Sequence, residues 1–126
     1  MTQAANAILV VDDDEDIRET TRALLELEGY AVRTACNGAE ALEHMRSRRP
    51  LAVVLDLMMP AMCGRELRSH MLVDPVLADI PVIIMTAFEG SLGEAQSLKA
   101  AGFFQKPLSF EEFFTALRLI VGPPPG

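Results

Sequence analysis

Short apolar runs in this sequence give out at side chains that can do chemistry: Asp12 and Asp13, Asp56, Thr86 and Lys106. Three carboxylates, a hydroxyl and an ammonium from separated segments make a site only if the fold delivers them to one edge. Carboxylates crowded together repel and raise one another's pKa unless a cation stands among them. A hard divalent ion that prefers oxygen resolves the repulsion, and Mg2+ is the best candidate. Mg2+ takes one or two protein carboxylates, keeps several waters and completes its shell with phosphate oxygens. The implied ligand is a phosphoryl group, with Lys106 as the second positive charge. No GxxxxGK[ST] and no GxGxxG follows the first apolar run, so a nucleotide has no phosphate cradle here. The phosphoryl group must arrive on something else, and Asp56 is the well-placed acceptor; an aspartyl phosphate is an established covalent use of a carboxylate.

The elements that must position these groups are legible as runs and stripes. Ala7-Ile8-Leu9-Val10-Val11, Leu51-Ala52-Val53-Val54-Leu55 and Pro81-Val82-Ile83-Ile84-Met85 are continuous rather than alternating, and each stops at a polar residue. Runs of that kind suit strands covered on both faces, as in parallel sheets. Weaker runs at about 30–35 and 103–105 predict two further strands. Ile17, Thr21, Leu24 and Leu25 recur at helical spacing, with Gly29 as the stop. Asn37 and Glu40 open a second helix, Leu42 and Met45 give its buried stripe, and Arg46, Arg48, Arg49 and Pro50 close it. The last helix starts at a Ser109-x-x-Glu112 capping box, with Leu108 placed to staple onto Phe113. Its apolar face is Phe110, Phe113, Phe114, Leu117 and Val121. Helices at about 64–72 and 91–101 complete the set.

The sum is βα five times: an α/β fold with a doubly wound, parallel, five-stranded sheet and right-handed crossovers. In open sheets of this class, ligands sit outside the carboxyl ends of the strands, where the five polar residues fall. The 126 residues make one domain, half of them hydrophobic and 23% charged, which argues against disorder. A net charge of −7 argues against direct nucleic-acid or anionic-membrane binding. The absence of a leader-like segment or a long apolar run predicts a cytoplasmic protein. Cys36 reads as a small buried residue, and His44 and His70 as surface residues. The chain divides into a folded unit, 1–121, and a Pro/Gly tail or start of a linker, 122–126.

Bland readings stand beside the functional ones. Asp14, Glu15 and Asp16 read as a solvated acidic start of the first helix, favoured by its dipole. Asp56 taken alone is an ordinary strand-end residue, and Thr86 a β-branched residue that ends a strand. Phe103 reads first as a core aromatic. Met58, Met59 and Met62 form an apolar rim beside Asp56, with loop packing as the simple account.

Taken together, Ile8-Leu9-Val10-Val11-Asp12-Asp13-Asp14, Val54-Leu55-Asp56-Leu57-Met58-Met59-Pro60 with Gly64, Met85-Thr86-Ala87 and Lys106-Pro107 are in a specific order and spacing. Over about 8–121 the chain resembles the receiver domain of response regulators in two-component signal transduction. The resemblance implies a flavodoxin-like strand order, 2-1-3-4-5. It makes Asp56 the phospho-acceptor, and Asp12, Asp13, Asp56 and the Met58 backbone carbonyl the Mg2+ ligands. Lys106 would pair with the phosphoryl oxygens, its bond to Pro107 cis; Thr86 would bring its hydroxyl onto the phosphate, and Phe103 would turn inward behind it. A surface made by the fourth helix, the fifth strand and the fifth helix would then switch.

The implied partners are a sensor histidine kinase or histidine phosphotransfer protein as donor, and a downstream output protein or a missing C-terminal domain as receiver of the signal. A homodimer through the switch surface is a further possibility of the family. Such a chain is a phosphorelay component rather than an enzyme, although it promotes its own phosphoryl transfer and autodephosphorylation. The rivals are a haloacid-dehalogenase-type phosphatase and a receiver-like adaptor that works without phosphorylation. The first needs a second Asp two residues after its nucleophile, and Asp56-Leu57-Met58 lacks it. Two departures stand out: Lys99 occupies a position where the family often has Gly, and Cys63 one where it often has Asp. Met58 and Phe88, at the positions flanking the site, hydrogen-bond an attacking water poorly, which predicts a slowly hydrolysing phosphate.

Overall fold

The computed structural model describes residues 7–56, 64–86, 99–105 and 109–123. Within them the order is β1 (Ala7–Val11), α1 (Glu15–Leu27), β2 (Ala31–Ala35), α2 (Gly38–Ser47), β3 (Ala52–Asp56), α3 (Gly64–Val73), β4 (Val82–Thr86), β5 (Gly102–Gln105) and a C-terminal helix (Phe110–Val121). The strands form one parallel sheet in the order β2-β1-β3-β4-β5. This is the doubly wound α/β sheet that the continuous apolar runs predict.

The apolar residues of the central strands are buried throughout because alternate side chains feed two separate cores. Leu9, Val11, Val53, Leu55, Val82 and Ile84 join Leu42 and Met45 of α2 and Leu67 and Met71 of α3 on one face. Ile8, Val10, Val54, Ile83 and Met85 join Leu25 of α1 and Phe113, Phe114 and Leu117 of the C-terminal helix on the other. A period of two shared between two covered faces is why the runs read as unbroken hydrophobicity. Fully burying a side chain such as Phe113 contributes about 1.5–3 kcal/mol. An edge-to-face contact with Phe104, with centroids 5.8 Å apart, adds to it.

The helices begin where side chains satisfy their first N–H groups. Asp14 Oδ1 accepts from the Asp16 and Ile17 amides at 3.0 and 3.2 Å. Asn37 Oδ1 accepts from the Glu40 amide at 2.8 Å, while Glu40 Oε1 accepts from the Cys36 amide at 2.8 Å. Ser109 Oγ accepts from the Glu112 amide at 3.4 Å. After α1, Gly29 takes a φ of 103°, a conformation that favours glycine. The Tyr30 hydroxyl then donates to the Gly122 carbonyl at 3.0 Å, and Arg118 pairs with Glu28 at 2.7 Å. Those two contacts tie the end of the C-terminal helix to the α1–β2 connection.

Several expectations need correction. β3 and β4 are each displaced by one residue, so Asp56 and Thr86 are the last residues of their strands rather than the first beyond them. Their backbones still pair in the sheet, Asp56 with Met85 and Thr86 with Gln105. Cys36 is exposed, because it lies on the bend after β2 and not in the strand. His44 is half-buried, whereas His70 is exposed as expected. Of the helix expected at 91–101, residues 91–98 fall outside the described residues, and Lys99 leaves helical geometry with a φ of 56°. Leu108 also lies outside them. No helix among the described residues is long and apolar enough to cross a membrane.

Candidate functional site

Asp12 follows the last residue of β1, and Asp56 is the last residue of β3. These strands are neighbours, and Val11 pairs with Leu55, so one further step along each strand sets Asp12 beside Asp56. Both carboxylates are buried, Asp12 at 1% and Asp56 at 5% exposure, while Asp13 is exposed. Carboxylate oxygens of Asp12, Asp13 and Asp56 lie within 4.8 Å of one another.

The local backbone explains why the first two carboxylates are held there. The Asp12 amide donates to the Ala35 carbonyl at 3.2 Å, which extends the β1–β2 pairing past the last strand residue. Asp12 Oδ1 accepts from the Asp14 amide at 3.0 Å, a turn that leads directly into the Asp14 cap of α1. Arg18, one turn into α1, donates from Nη1 to the Asp12 carbonyl at 3.0 Å. A cation therefore stands at the rim of a cluster of anions, bound to backbone and not to the carboxylates themselves.

Three carboxylate oxygens at this spacing, two of them buried, are a hard donor set without nitrogen or sulfur. That set fits a cation such as Mg2+ or Ca2+ and not a thiolate- or imidazole-seeking metal.

The other expected site residues are distributed as follows. Thr86 closes β4, next in the sheet to β3, and so belongs to the same edge as Asp56. Phe103 lies on β5 opposite Ile84, half-buried and packed against the core face that holds Leu55 and Met71. Lys106, Pro107, Met58, Met59, Met62, Cys63 and Phe88 lie outside the described residues.

Two arginines matter that the sequence reading passed over. Arg18 is one, and its only signal was a cation one helical turn after an acidic start. Arg68 is the other: it is 3% exposed on α3, and Nη2 donates to the Lys99 carbonyl at 3.2 Å. Burial draws its guanidinium below the ordinary arginine pKa.

Residues 8–118 match the family model described as the response regulator receiver domain. Response regulator MprA of Mycobacterium ulcerans is 38% identical over 120 residues, a match covering 90% of this chain and 49% of that protein. The chain thus spans about half the length of the curated relatives it matches. Among solved structures, response regulator TrrA of Thermotoga maritima, in complex with Mg(2+)-BeF, is 32% identical with a TM-score of 0.82. That match covers 91% of this chain and 98% of the other. The N-terminal domain of a response regulator receiver protein from Methanoculleus marisnigri is 33% identical with a TM-score of 0.75, covering 91% and 95% of the two chains.

Proposed function

This chain belongs to the response-regulator receiver family, and on that premise we propose that it is a phosphorylation-dependent switch whose acceptor is Asp56. The observation that carries the reading is the convergence of the Asp12, Asp13 and Asp56 carboxylates within 4.8 Å at the carboxyl ends of β1 and β3. Three anions so close are compatible with a folded protein when a divalent cation is shared among them. Asp12, Asp13 and Asp56, with the Met58 carbonyl, hold Mg2+, and the ion supplies charge neutralisation for the incoming phosphoryl group. The solved relative carrying Mg(2+)-BeF supports that choice of ion.

Phosphoryl transfer has a loose transition state, so alignment and charge neutralisation carry most of the catalysis. A carboxylate oxygen of Asp56 attacks phosphorus as the bond to the donor's imidazole nitrogen breaks. The product is an acyl phosphate on Asp56 and a free histidine on the donor, a sensor kinase or phosphotransfer protein. Because Asp56 ends a buried strand, its carboxylate enters the reaction with little rotational freedom to lose. Lys106 pairs with the transferred oxygens, and Thr86 donates its hydroxyl to one of them. The modification adds roughly −1.5 to −2 charges and strong acceptor oxygens at one point. Phe103 then moves inward, and the face built from β5, the helix expected at about 91–101 and the C-terminal helix changes its surface.

The receiver unit is 1–121, with 122–126 as its tail. The output is a separate protein or a further domain, and the net charge of −7 disfavours direct binding of nucleic acid or an anionic membrane by this unit. The proposed location is the cytoplasm, and the switching face is the candidate surface for a homodimer.

The test is calorimetric titration with beryllofluoride, a tetrahedral stand-in for an acyl-linked phosphoryl group. Binding is expected only with Mg2+ present, and is expected to vanish in Asp56→Asn. Binding that ignores Mg2+ or survives in Asp56→Asn contradicts the reading.

A further inference from the structure

Arg68 is a cation almost wholly withdrawn from solvent, at 3% exposure. Its neighbours in the sequence pattern of α3, Leu67 and Met71, are fully buried in the core face that also receives Phe103. A guanidinium removed from water is retained where its N–H groups find acceptors. One acceptor is the Lys99 carbonyl, 3.2 Å from Nη2, which carries the interaction from α3 to the turn that leads into β5. Lys99 holds a φ of 56°, a left-handed conformation that a lysine adopts when its surroundings impose it. Beyond it, the Ala101 amide donates to the Val82 carbonyl at 2.8 Å, and Ala100 and Phe103 pack against the same core face. A buried cation, a strained residue and the half-buried aromatic of the switch are therefore linked through a few consecutive contacts.

We propose that Arg68 is a positioning residue: by holding the Lys99 carbonyl it fixes the turn into β5 and restrains Phe103 in its half-buried position. The proposal rests on the reading of Asp56 as phospho-acceptor. On this proposal the start of β5 gives as Phe103 moves inward from its half-buried position. An interaction made in one conformation and weakened in the other sets the balance between them. The Arg68 tie therefore opposes activation, and its removal favours the phosphoryl-bound conformation.

The experiment compares the full chain with Arg68→Met, which keeps an apolar stem of similar length, and Arg68→Lys, which keeps a donor. Hydrogen exchange in the peptide covering 99–105, in metal-free buffer, reads the tie without reference to phosphorylation. Beryllofluoride affinity in Mg2+ reads its coupling to the site. Arg68→Met is expected to speed exchange about tenfold and to tighten beryllofluoride binding about threefold or more, with Arg68→Lys close to wild type in both. Unchanged exchange overturns the proposal, and so does faster exchange with unchanged or weaker beryllofluoride affinity, the signature of a merely structural arginine. Exchange that responds in a protein whose wild type does not bind beryllofluoride refutes the Asp56 reading and the restraint on switching, while the tie itself stands. Should Arg68→Met fail to fold, Lys99→Gly lifts the left-handed penalty from the tied turn and so stabilises the restrained conformation. It is expected to weaken beryllofluoride binding about twofold, and tighter or unchanged binding overturns the proposal.

Discussion

Asp12 and Asp56 bring carboxylate oxygens within 4.8 Å of each other because Val11 and Leu55 pair in adjacent parallel strands. The sheet register, and not a loop, sets this spacing, so the two groups are as rigid as the core beneath them. Asp13 joins from the turn into α1, and that turn is fixed by the Asp14 amide on Asp12 and by the Asp14 cap. Two buried anions and one exposed anion thus share a rigid edge.

Such crowding destabilises the protein when no cation is bound. Asp13→Asn removes one charge from the cluster while keeping the shape of the side chain. In metal-free buffer it is expected to raise stability by about 1 kcal/mol, a rise in Tm of roughly 3–6 °C for a domain of this size. Mg2+ is expected to raise the Tm of wild type more than that of the variant, since ligand binding to the folded state stabilises it by mass action. Thermal melts with and without Mg2+ check both statements, and a lower Tm for metal-free Asp13→Asn contradicts the account.

The strands and the carboxylate cluster were legible because both-face burial writes each strand as an unbroken apolar run, and parallel alternation sends every strand's carboxyl end to the same edge. The ends of β3 and β4 were misplaced by one residue because the ladder needs only backbone groups, so Asp56 and Thr86 pair regardless of their polar side chains. Cys36 reads as buried from its residue type but is exposed, because residue type says little on a bend that no periodicity covers. Arg18 and Arg68 were invisible for a shared reason. Each donates to a backbone carbonyl, of Asp12 and of Lys99, and sequence does not display which carbonyls lie open. A charge in an amphipathic helix then reads as solvent-facing even where, as at Arg68, it is 3% exposed.

Lys99 also offers a test of backbone strain that is read in stability rather than in ligand binding. Its φ of 56° is costly for a side chain bearing a Cβ and free of that cost for glycine. The residue is exposed, so truncation leaves no cavity. Lys99→Gly is expected to stabilise the protein by about 0.5–1 kcal/mol, the left-handed penalty less the entropy glycine loses on folding. Urea unfolding measures the difference, and a destabilised variant contradicts the local geometry.

The Tyr30–Gly122 bond predicts a pH-dependent clamp on the C-terminal helix. Tyr30→Phe keeps the buried ring and deletes the 3.0 Å hydrogen bond, at an expected cost of about 1 kcal/mol at neutral pH. Burial, followed by Glu28, raises the Tyr30 pKa above 10.0, against an opposing effect of Arg118. A raised folded-state pKa contributes stability that is fully present below the unfolded value near 10.0 and is lost as pH rises through the folded value. The advantage of wild type over Tyr30→Phe is therefore constant up to about that pH and shrinks above it. Paired denaturation curves from neutral to strongly alkaline pH check the trend, and an advantage that grows with alkali contradicts it.

If Asp56 is the phospho-acceptor as proposed, Met58 and Phe88 bear on how long the phosphoryl group survives. Neither side chain orients an attacking water by a strong hydrogen bond, so hydrolysis of the acyl phosphate is expected to be slow. The double variant Met58→Asn/Phe88→Glu introduces polar groups at both positions. It is expected to lose phosphate about tenfold faster than wild type, followed as release of inorganic phosphate after donor removal. Equal lifetimes contradict the idea.

The most direct test of the central claim is incubation with acetyl phosphate and Mg2+, wild type beside Asp56→Asn, read on a phosphate-affinity gel. The account predicts a retarded band in wild type that disappears on chelating Mg2+ and never forms in Asp56→Asn. A retarded band of equal intensity in Asp56→Asn, or none in wild type with either acetyl phosphate or a phosphorylated histidine kinase as donor, contradicts it.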